Sequence, residues 1–350
     1  MEALRHTGTK DAAFARGGSL TRMAQHKIAI LLHDEFEMWH PPAWFIDRLR
    51  AEFPQATVAN SPSKRTDEDA LRNADVMIGW SISLEQLRAA TGLHWIYSIT
   101  AAIDQFLFPQ LVASDISLCN AARVHGPVVA EHAIAMMLTL AKRVPSAVRY
   151  QDRRKWAMEA IWKERPREIA GARLLVVGLG SIGAEVAALG AALKMHVTGV
   201  RQTPERGANG AQQVLGYAQL DQAIADADFV VLATPLTPQT RHLIDERRLQ
   251  LFKPGAYLIN VARGGLVDET ALVRALRDGR LAGAALDVFT EEPLPRRSKL
   301  WKMPQVLITP HTAFLSEKAW ERHYAVFSGN FKRYLAGQSL EGVVDKRRGY

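Results

Sequence analysis

The sequence predicts an α/β protein built on two doubly wound parallel sheets, and three observations carry that expectation. The chain has 350 residues, more than one compact core usually accommodates. Short β-prone runs alternate with longer helical patterns almost from end to end, the rhythm of parallel strands joined by crossover helices. Midway, a strand-like run leads straight through a glycine-rich turn into an Ala-rich helix, Leu174 to Ala192. Apolar residues make up 48% and charged residues 23%, which is ordinary for a globular chain and excludes wholesale disorder.

The elements follow in order. Ile28 to Leu32, Ala56 to Ala59, Val76 to Ile78, Trp95 to Ser98 and Ile116 to Leu118 read as strands. Between them, Ala43 to Glu52 and Leu84 to Ala90 carry helical spacing. Pro127 to Lys142 is a long apolar helix with Pro at its start and Pro145 as its stop, and it lies where the two repeating halves meet. Then six strands are expected: Leu174 to Val177, His196 to Val200, Phe229 to Ala233, Ala256 to Val261, Gly283 to Val288 and Val306 to Thr309. Before the fifth of these, Asp268 reads as a helix N-cap, Leu272, Val273 and Leu276 as an apolar stripe, and Gly279 as the stop. The chain beyond His311 has no strand partner nearby in sequence and is expected to return onto the first half. Residues 1–24 read as a flexible tail, with Met23 an alternative start.

The net charge is +8, but the excess is scattered among the first residues, Arg149 to Arg167 and Lys346-Arg347-Arg348. A basic surface that attracts small anions is favoured over nucleic-acid binding. One cysteine, Cys119, excludes an internal disulfide and a Cys-rich zinc module, and fits a reducing, cytoplasmic setting. The longest apolar stretches are broken by Glu131 and His132, and by Glu185 and Lys194, so no membrane span is expected. Glu131-His132, His33 and His40 match no closed zinc spacing, and no metal is expected.

Gly178-Leu179-Gly180-Ser181-Ile182-Gly183 is a dinucleotide fingerprint in the context it requires, directly after a strand and at a helix start. Gly178 permits the tight turn, Gly180 lets backbone approach a pyrophosphate, and Gly183 brings helix and strand together. The N–H groups of the helix start, at Ser181 and Ile182, then face the phosphates. NAD sites usually end the next strand with an acid; here it ends in Arg201, followed by Gln202, Thr203 and Arg206. A guanidinium grips a 2′-phosphate where a carboxylate would repel it, so NADP is expected over NAD, which stays open.

Three further segments lie where strands run out at their carboxyl ends, the edge at which open α/β sheets bind ligands. They are Asn260 to Gly265 with Arg263, Asp287 to Pro293 with Glu292, and Thr309 to Ala313 with His311. Asp287 ends a buried strand, where an unpaired carboxylate is costly, so a partner or a function is expected. Most of the eleven histidines are structural; His311 stands apart by sharing a crevice with Arg263 and the Glu292 segment. Together these residues suit hydride transfer to a ketone. Histidine titrates near working pH and can supply the proton, a neighbouring carboxylate such as Glu292 stabilises the imidazolium, and Arg263 clamps an acidic substrate.

The set GLGSIG, TPLTPQTRHLI (Thr234 to Ile244), NVARGGLVDE (Asn260 to Glu269), LDVFTEEPLP (Leu286 to Pro295) and ITPHTA (Ile308 to Ala313) resembles the D-isomer-specific 2-hydroxyacid dehydrogenases over roughly residues 25 to 340. The resemblance implies Arg263 as substrate-binding and catalytic, Glu292 as the orienting carboxylate and His311 as acid/base. Thr234, Pro235, Val261, Ala262 and Asp287, with Arg263 and His311, would line the cofactor. Thr100, Ala101 and Ala102, in the segment Tyr97 to Asp104, resemble the family's receptor for the substrate carboxylate, and Gly79-Trp80 a second substrate-facing loop. The implied architecture is a Rossmann cofactor domain, residues 125–311, inserted into a flavodoxin-like substrate domain, residues 25–124 and 312–345. A homodimer is implied, with Trp156 in the contacting arm.

Ala102 stands where the family often has Gly, which points to a narrower or differently shaped carboxylate loop, and Arg123 likewise replaces a frequent Gly before Val124-His125. Arg296-Arg297-Ser298-Lys299 is unusually basic; it favours either a more anionic substrate or a solvated loop. The expected activity is NAD(P)H-dependent reduction of small 2-keto acids, glyoxylate or hydroxypyruvate, to D-2-hydroxy acids. Two alternatives stand beside it. One is a dinucleotide-sensing corepressor-like protein. The other is a phosphite-type oxyanion dehydrogenase; formate enzymes resemble it less, since they carry Gln where Glu292 stands.

Overall fold

A computed structural model of the chain describes residues 26–33 and 36–349. The expected N-terminal tail, residues 1–24 with Met23, lies outside the described residues. The strands are β1 (His26–Leu31), β2 (Ala56–Asn60), β3 (Val76–Gly79), β4 (Trp95–Ser98), β5 (Ser117–Cys119), β6 (Arg173–Val177), β7 (His196–Val200), β8 (Gln213–Leu215), β9 (Phe229–Leu232), β10 (Ala256–Asn260), β11 (Leu281–Leu286) and β12 (Val306–Ile308).

They form two sheets, both parallel throughout their paired strands. The smaller runs β2-β1-β3-β4-β5 and the larger β12-β11-β10-β9-β6-β7-β8. Central strands such as β3, β4, β9 and β10 are buried along their whole length, as expected of strands covered on both faces by helices. Each order reverses once, between β1 and β3 and between β6 and β9, and those reversals create the crevices.

Two expectations are corrected. The larger sheet has seven strands rather than six. The additional one, β8, is a three-residue edge strand whose residues are partly exposed, so it lacks the continuous apolar run that marks a buried strand. The long apolar helix begins at Ala122, not at Pro127. Pro127 lies inside the helix, where it removes one donor; burial of Val124, Val129, Ala130 and Ala133 holds the turns around it.

That helix, Ala122–Ala141, has the length and composition of a membrane span, so the charges at Glu131 and His132 do not by themselves set it apart. Its packing does: Ala130, Ala133, Met137 and Ala141 have no exposed surface and join the core of the larger sheet. It also crosses the expected cut at residue 125.

The helix Ala319–Leu335 returns onto the smaller sheet, as expected of the tail. Phe327 stacks on Trp95 at 5.1 Å between ring centroids, and Phe331 meets Phe53 edge-on. The chain then forms one antiparallel bridge from Val343 to Cys119, and Val344 donates its N–H to Leu118. Asp268 caps the helix Glu269–Arg277 by accepting from Ala271 N–H, and Gly279 follows it with φ +71°.

Candidate active site

The glycine turn divides its work as its spacing suggests. Gly178 has φ +95°, and a Cβ there would sit 2.7 Å from the backbone of Ala233 and Thr234 at the end of β9. A Cβ on Gly183 would meet the Gly178 carbonyl at 1.8 Å, so only glycine lets the helix Ser181–Ala192 start against the strand. Gly180 differs: a Cβ there would meet nothing within 4 Å. Its backbone faces open space beside a helix start that no side chain caps. Those uncapped N–H groups with a bare approach fit a pyrophosphate.

Arg201 follows β7, as expected, and donates from Nη1 to the Gly207 carbonyl at 2.8 Å. Thr234 is buried with its hydroxyl 2.7 Å from Tyr217 Oη, and Pro235 beside it is exposed. After β10, Asn260 braces its own turn: it donates to the Arg263 carbonyl at 2.9 Å and accepts from Ala262 N–H at 3.1 Å. Val261 is buried and Ala262 partly so. Gly264 is compressed against the neighbouring loop, since a Cβ would lie 1.9 Å from the Phe289 carbonyl carbon.

Arg263, Glu292 and the His311 turn converge. His311 Nδ1 and Glu292 Oε2 are 2.7 Å apart. An ionised carboxylate only accepts, so Nδ1 carries the proton, and Nε2 has no hydrogen-bond partner among the described residues. Glu292 Oε1 accepts from Phe289 N–H at 2.8 Å. Partial burial pushes the Glu292 carboxyl up, but the His311 hydrogen bond, the Phe289 N–H and the charges of His311 and Arg263 outweigh it and hold it below its ordinary value. Arg263 Nη1 donates to its own neighbour's carbonyl, Ala262 O, at 2.8 Å. Its Nε lies 3.7 Å from Asp104 Oδ2, a contact that joins the two halves.

Asp287 has the partners its burial demanded. With 1% of its surface exposed, its carboxylate accepts from Thr309 Oγ1 at 2.6 Å, Thr312 N–H at 2.9 Å and Ala313 N–H at 3.1 Å. His311 N–H donates to the Asp287 carbonyl at 2.8 Å. His311 itself has φ +53°, which a residue with a Cβ adopts at a cost. Asp287 therefore holds the turn that presents the imidazole. His132, from the long helix, donates through Nε2 to Thr309 Oγ1 at 3.1 Å, because the threonine proton is already given to Asp287. No motif marks this role for His132.

On the smaller sheet, Gly79 ends β3 and Trp80 follows it, 37% exposed. The Thr100 hydroxyl is consumed within its loop, donating to Ala102 O at 2.6 Å and accepting from Gln105 Nε2 at 3.1 Å. Gln105 also donates to Trp80 O at 2.9 Å, and Asn120 donates to Ala101 O at 2.7 Å. With those carbonyls engaged, the N–H groups of Ala101 and Ala102 donate to no described residue. Ala102 adds a methyl group beside them. Behind this loop, His125 Nε2 donates to Ile99 O at 3.0 Å and Tyr97 Oη donates to His323 Nδ1 at 3.0 Å. Burial lowers the pKa of both imidazoles, that of His323 to about 3.

Two aromatic residues outside every motif complete the site. Phe314 meets His311 edge-on at 6.0 Å and stacks on Trp39 at 5.0 Å, and Trp39 meets Trp80 edge-on at 4.5 Å. In the basic stretch at 296–299, Arg297 pairs with exposed Glu291 at 2.9 Å. His33, from the rejected metal pair, is held by Asp67 at 2.8 Å.

Residues 134–313 match the family described as D-isomer specific 2-hydroxyacid dehydrogenase, NAD binding domain. The chain is 30% identical over 333 residues to a glyoxylate reductase of Pyrococcus furiosus, covering 93% of this chain and 94% of that one. It is also 30% identical to a D-3-phosphoglycerate dehydrogenase of Methanocaldococcus jannaschii over 85% of this chain, but spans only 57% of that relative's length. A D-isomer specific 2-hydroxyacid dehydrogenase from Xanthobacter autotrophicus Py2, solved with NADPH and MES, superposes with TM-score 0.79 at 29% identity, over 93% of this chain and all of the other. The chain belongs to the D-isomer specific 2-hydroxyacid dehydrogenase family of NAD(P)-dependent oxidoreductases.

Proposed function

We propose that the protein reduces small 2-keto acids to D-2-hydroxy acids with NADPH. The observation that carries this reading is the convergence of Arg263 with the His311–Glu292 pair, with Asp104, from the loop that follows β4, 3.7 Å from Arg263 and the Ala101 and Ala102 N–H groups of that loop donating to no described residue. Gly178, Gly180, Ser181, Ile182 and Gly183 would hold the pyrophosphate, and Arg201 the 2′-phosphate. Thr234, Pro235, Val261 and Ala262 would line the nicotinamide side, whereas Asp287, buried and engaged by three donors, supports that side without facing it. When bound, the dinucleotide supplies a hydride to the ketone carbon.

Ala101 and Ala102 N–H receive the substrate carboxylate, with the guanidinium of Arg263 clamping it and polarising the carbonyl. His311 Nε2 delivers the proton to the developing alkoxide, and Glu292 holds the imidazolium that precedes transfer. Asp287 keeps the His311 turn in place. Closure of a substrate unit, residues 25–124 with 312–345, on a cofactor unit, residues 125–311, excludes water.

Glyoxylate and hydroxypyruvate are the first compounds to test, since a glyoxylate reductase is among the relatives. NADP is preferred because Arg201 replaces an acid; a structural neighbour holds NADPH. The arm around residues 144–162 exposes Val144, Val148, Trp156, Met158 and Trp162, Trp156 by 93%, and this surface suits a second copy of the chain. The unpaired, buried Cys119 accords with a cytoplasmic setting. A panel of 2-keto acids, each with NADPH and NADH and followed by absorbance loss, tests the reading; no oxidation with any of them, in either nucleotide, removes it.

A further inference from the structure

The crevice of the smaller sheet opens where its strand order reverses, between β1 and β3. The segment after β1 brings Trp39, and the residue after β3 is Trp80; their rings meet at 4.5 Å. Phe314, three residues past His311, stacks on Trp39 from the other side. One continuous aromatic wall thus runs from the catalytic imidazole to the partly exposed Trp80. Trp39 is fixed from behind, since Trp320 donates to the Met38 carbonyl at 3.1 Å. Trp80 is fixed by Gln105, the same side chain that shapes the Thr100 loop.

A 2-keto acid bound as proposed has three of its directions assigned around C2. The carboxylate goes to Ala101 and Ala102, the oxygen to His311 and Arg263, and the hydride arrives from the nucleotide side. The substituent leaves in the direction that remains, along the smaller sheet's crevice. Among the described residues, the groups there include the three rings, with Asp104 beside Arg263 and with Arg322 close to His125, which meets Phe314 edge-on at 5.9 Å. Among the described residues, the cations that sit over rings lie on Tyr324, Tyr257, Tyr150 and Trp162, not on this wall. A phosphate or second carboxylate on the substituent would meet rings and a carboxylate, whereas an apolar or aromatic group would be desolvated against them.

We infer that the wall formed by Trp39, Trp80 and Phe314 selects 2-keto acids whose substituent is neutral and apolar, aromatic ones included. The inference rests on the reductase reading above and narrows its substrate class away from hydroxypyruvate.

The test is kcat/KM with NADPH for glyoxylate, hydroxypyruvate, 3-phosphohydroxypyruvate and phenylpyruvate, in the unaltered protein, Trp80→Ala and Trp80→Phe. Phenylpyruvate is expected to exceed hydroxypyruvate by about tenfold or more, the scale of burying one aromatic ring, with 3-phosphohydroxypyruvate the poorest. Trp80→Ala should lower the phenylpyruvate-to-glyoxylate ratio by a similar factor, and Trp80→Phe should restore most of it. Preference for hydroxypyruvate or its phosphate, or a ratio that Trp80→Ala leaves unmoved, overturns the inference while the reductase reading stands. NADPH oxidation with none of the four overturns both.

Discussion

The two sheets build their halves of the cleft by different means. On the larger sheet, each candidate group follows its strand within a few residues: the glycine turn after β6, Arg201 after β7, Arg263 after β10, His311 after β12. Much of what faces a cofactor there is backbone, shaped by glycine and by a helix start. On the smaller sheet the lining is assembled from Trp39, Trp80, the Thr100–Ala102 loop and Phe314, residues far apart in the chain and joined by ring contacts, the Gln105 amide and the pairing of β3 with β4. The difference teaches that the groups proposed for the chemistry sit in local motifs, whereas the wall proposed for selectivity rests on packing.

That contrast can be broken or sharpened by variants on each side. The largest effect is expected from His311→Ala, which should cut kcat by roughly 10²–10⁴-fold while the NADPH dissociation constant, read by fluorescence titration, moves far less. Equal losses in both would mean that the imidazole serves binding rather than proton transfer.

Next, Arg201→Asp should shift the NADPH-to-NADH ratio of kcat/KM towards NADH by about ten- to a hundredfold, the scale of a charged hydrogen bond. A constant ratio would show that the guanidinium belongs to the Gly207 carbonyl alone.

Gly264→Ala forces a Cβ into the Phe289–Thr290 backbone. An overpacking cost of about 1–3 kcal/mol is expected in denaturant unfolding, with loss of turnover as Arg263 shifts. An unchanged unfolding midpoint would count against the tight contact of those loops.

The smallest effect belongs to the carboxylate loop's buried support. His323, held neutral by burial with its pKa lowered to about 3 from 6.5, takes up a proton more readily in the unfolded chain. Its contribution therefore erodes stability as pH falls below about 6.5 and adds nothing above it, with a limiting slope of about 1.4 kcal/mol per pH unit. His125, also lowered by burial, acts in the same direction. His323→Gln keeps an acceptor for Tyr97 and should flatten the fall in Tm between pH 7.5 and 5. A fall as steep as in the unaltered protein would place the acid sensitivity elsewhere.

Most of the strands were legible because buried parallel strands are continuous apolar runs; β8 was not, being short and half exposed at an edge. The long helix was legible in type but not in its start. Proline is favoured in a first turn, and only the packing of residues 122–126 against the rest of the protein makes an interior proline tolerable. Asp287 could be read as a buried carboxylate in need of partners, yet which donors would reach it was invisible. Thr309, Thr312, Ala313 and His132 meet there only after β11, β12 and the long helix have packed.

By itself, the order of residues determined the α/β class, the nucleotide turn and the family, because strand periodicity, glycine φ preference and helix-start chemistry act over a few neighbouring residues. Only the tertiary structure decided that Asp104 faces Arg263, that the Ala101 and Ala102 N–H groups donate to no described residue, and that Phe314 meets His311 with Trp39 stacked on its other side. Those facts depend on side-chain contacts between segments far apart in sequence, and contacts of that kind are set by how whole elements pack, not by any local preference of the residues that make them.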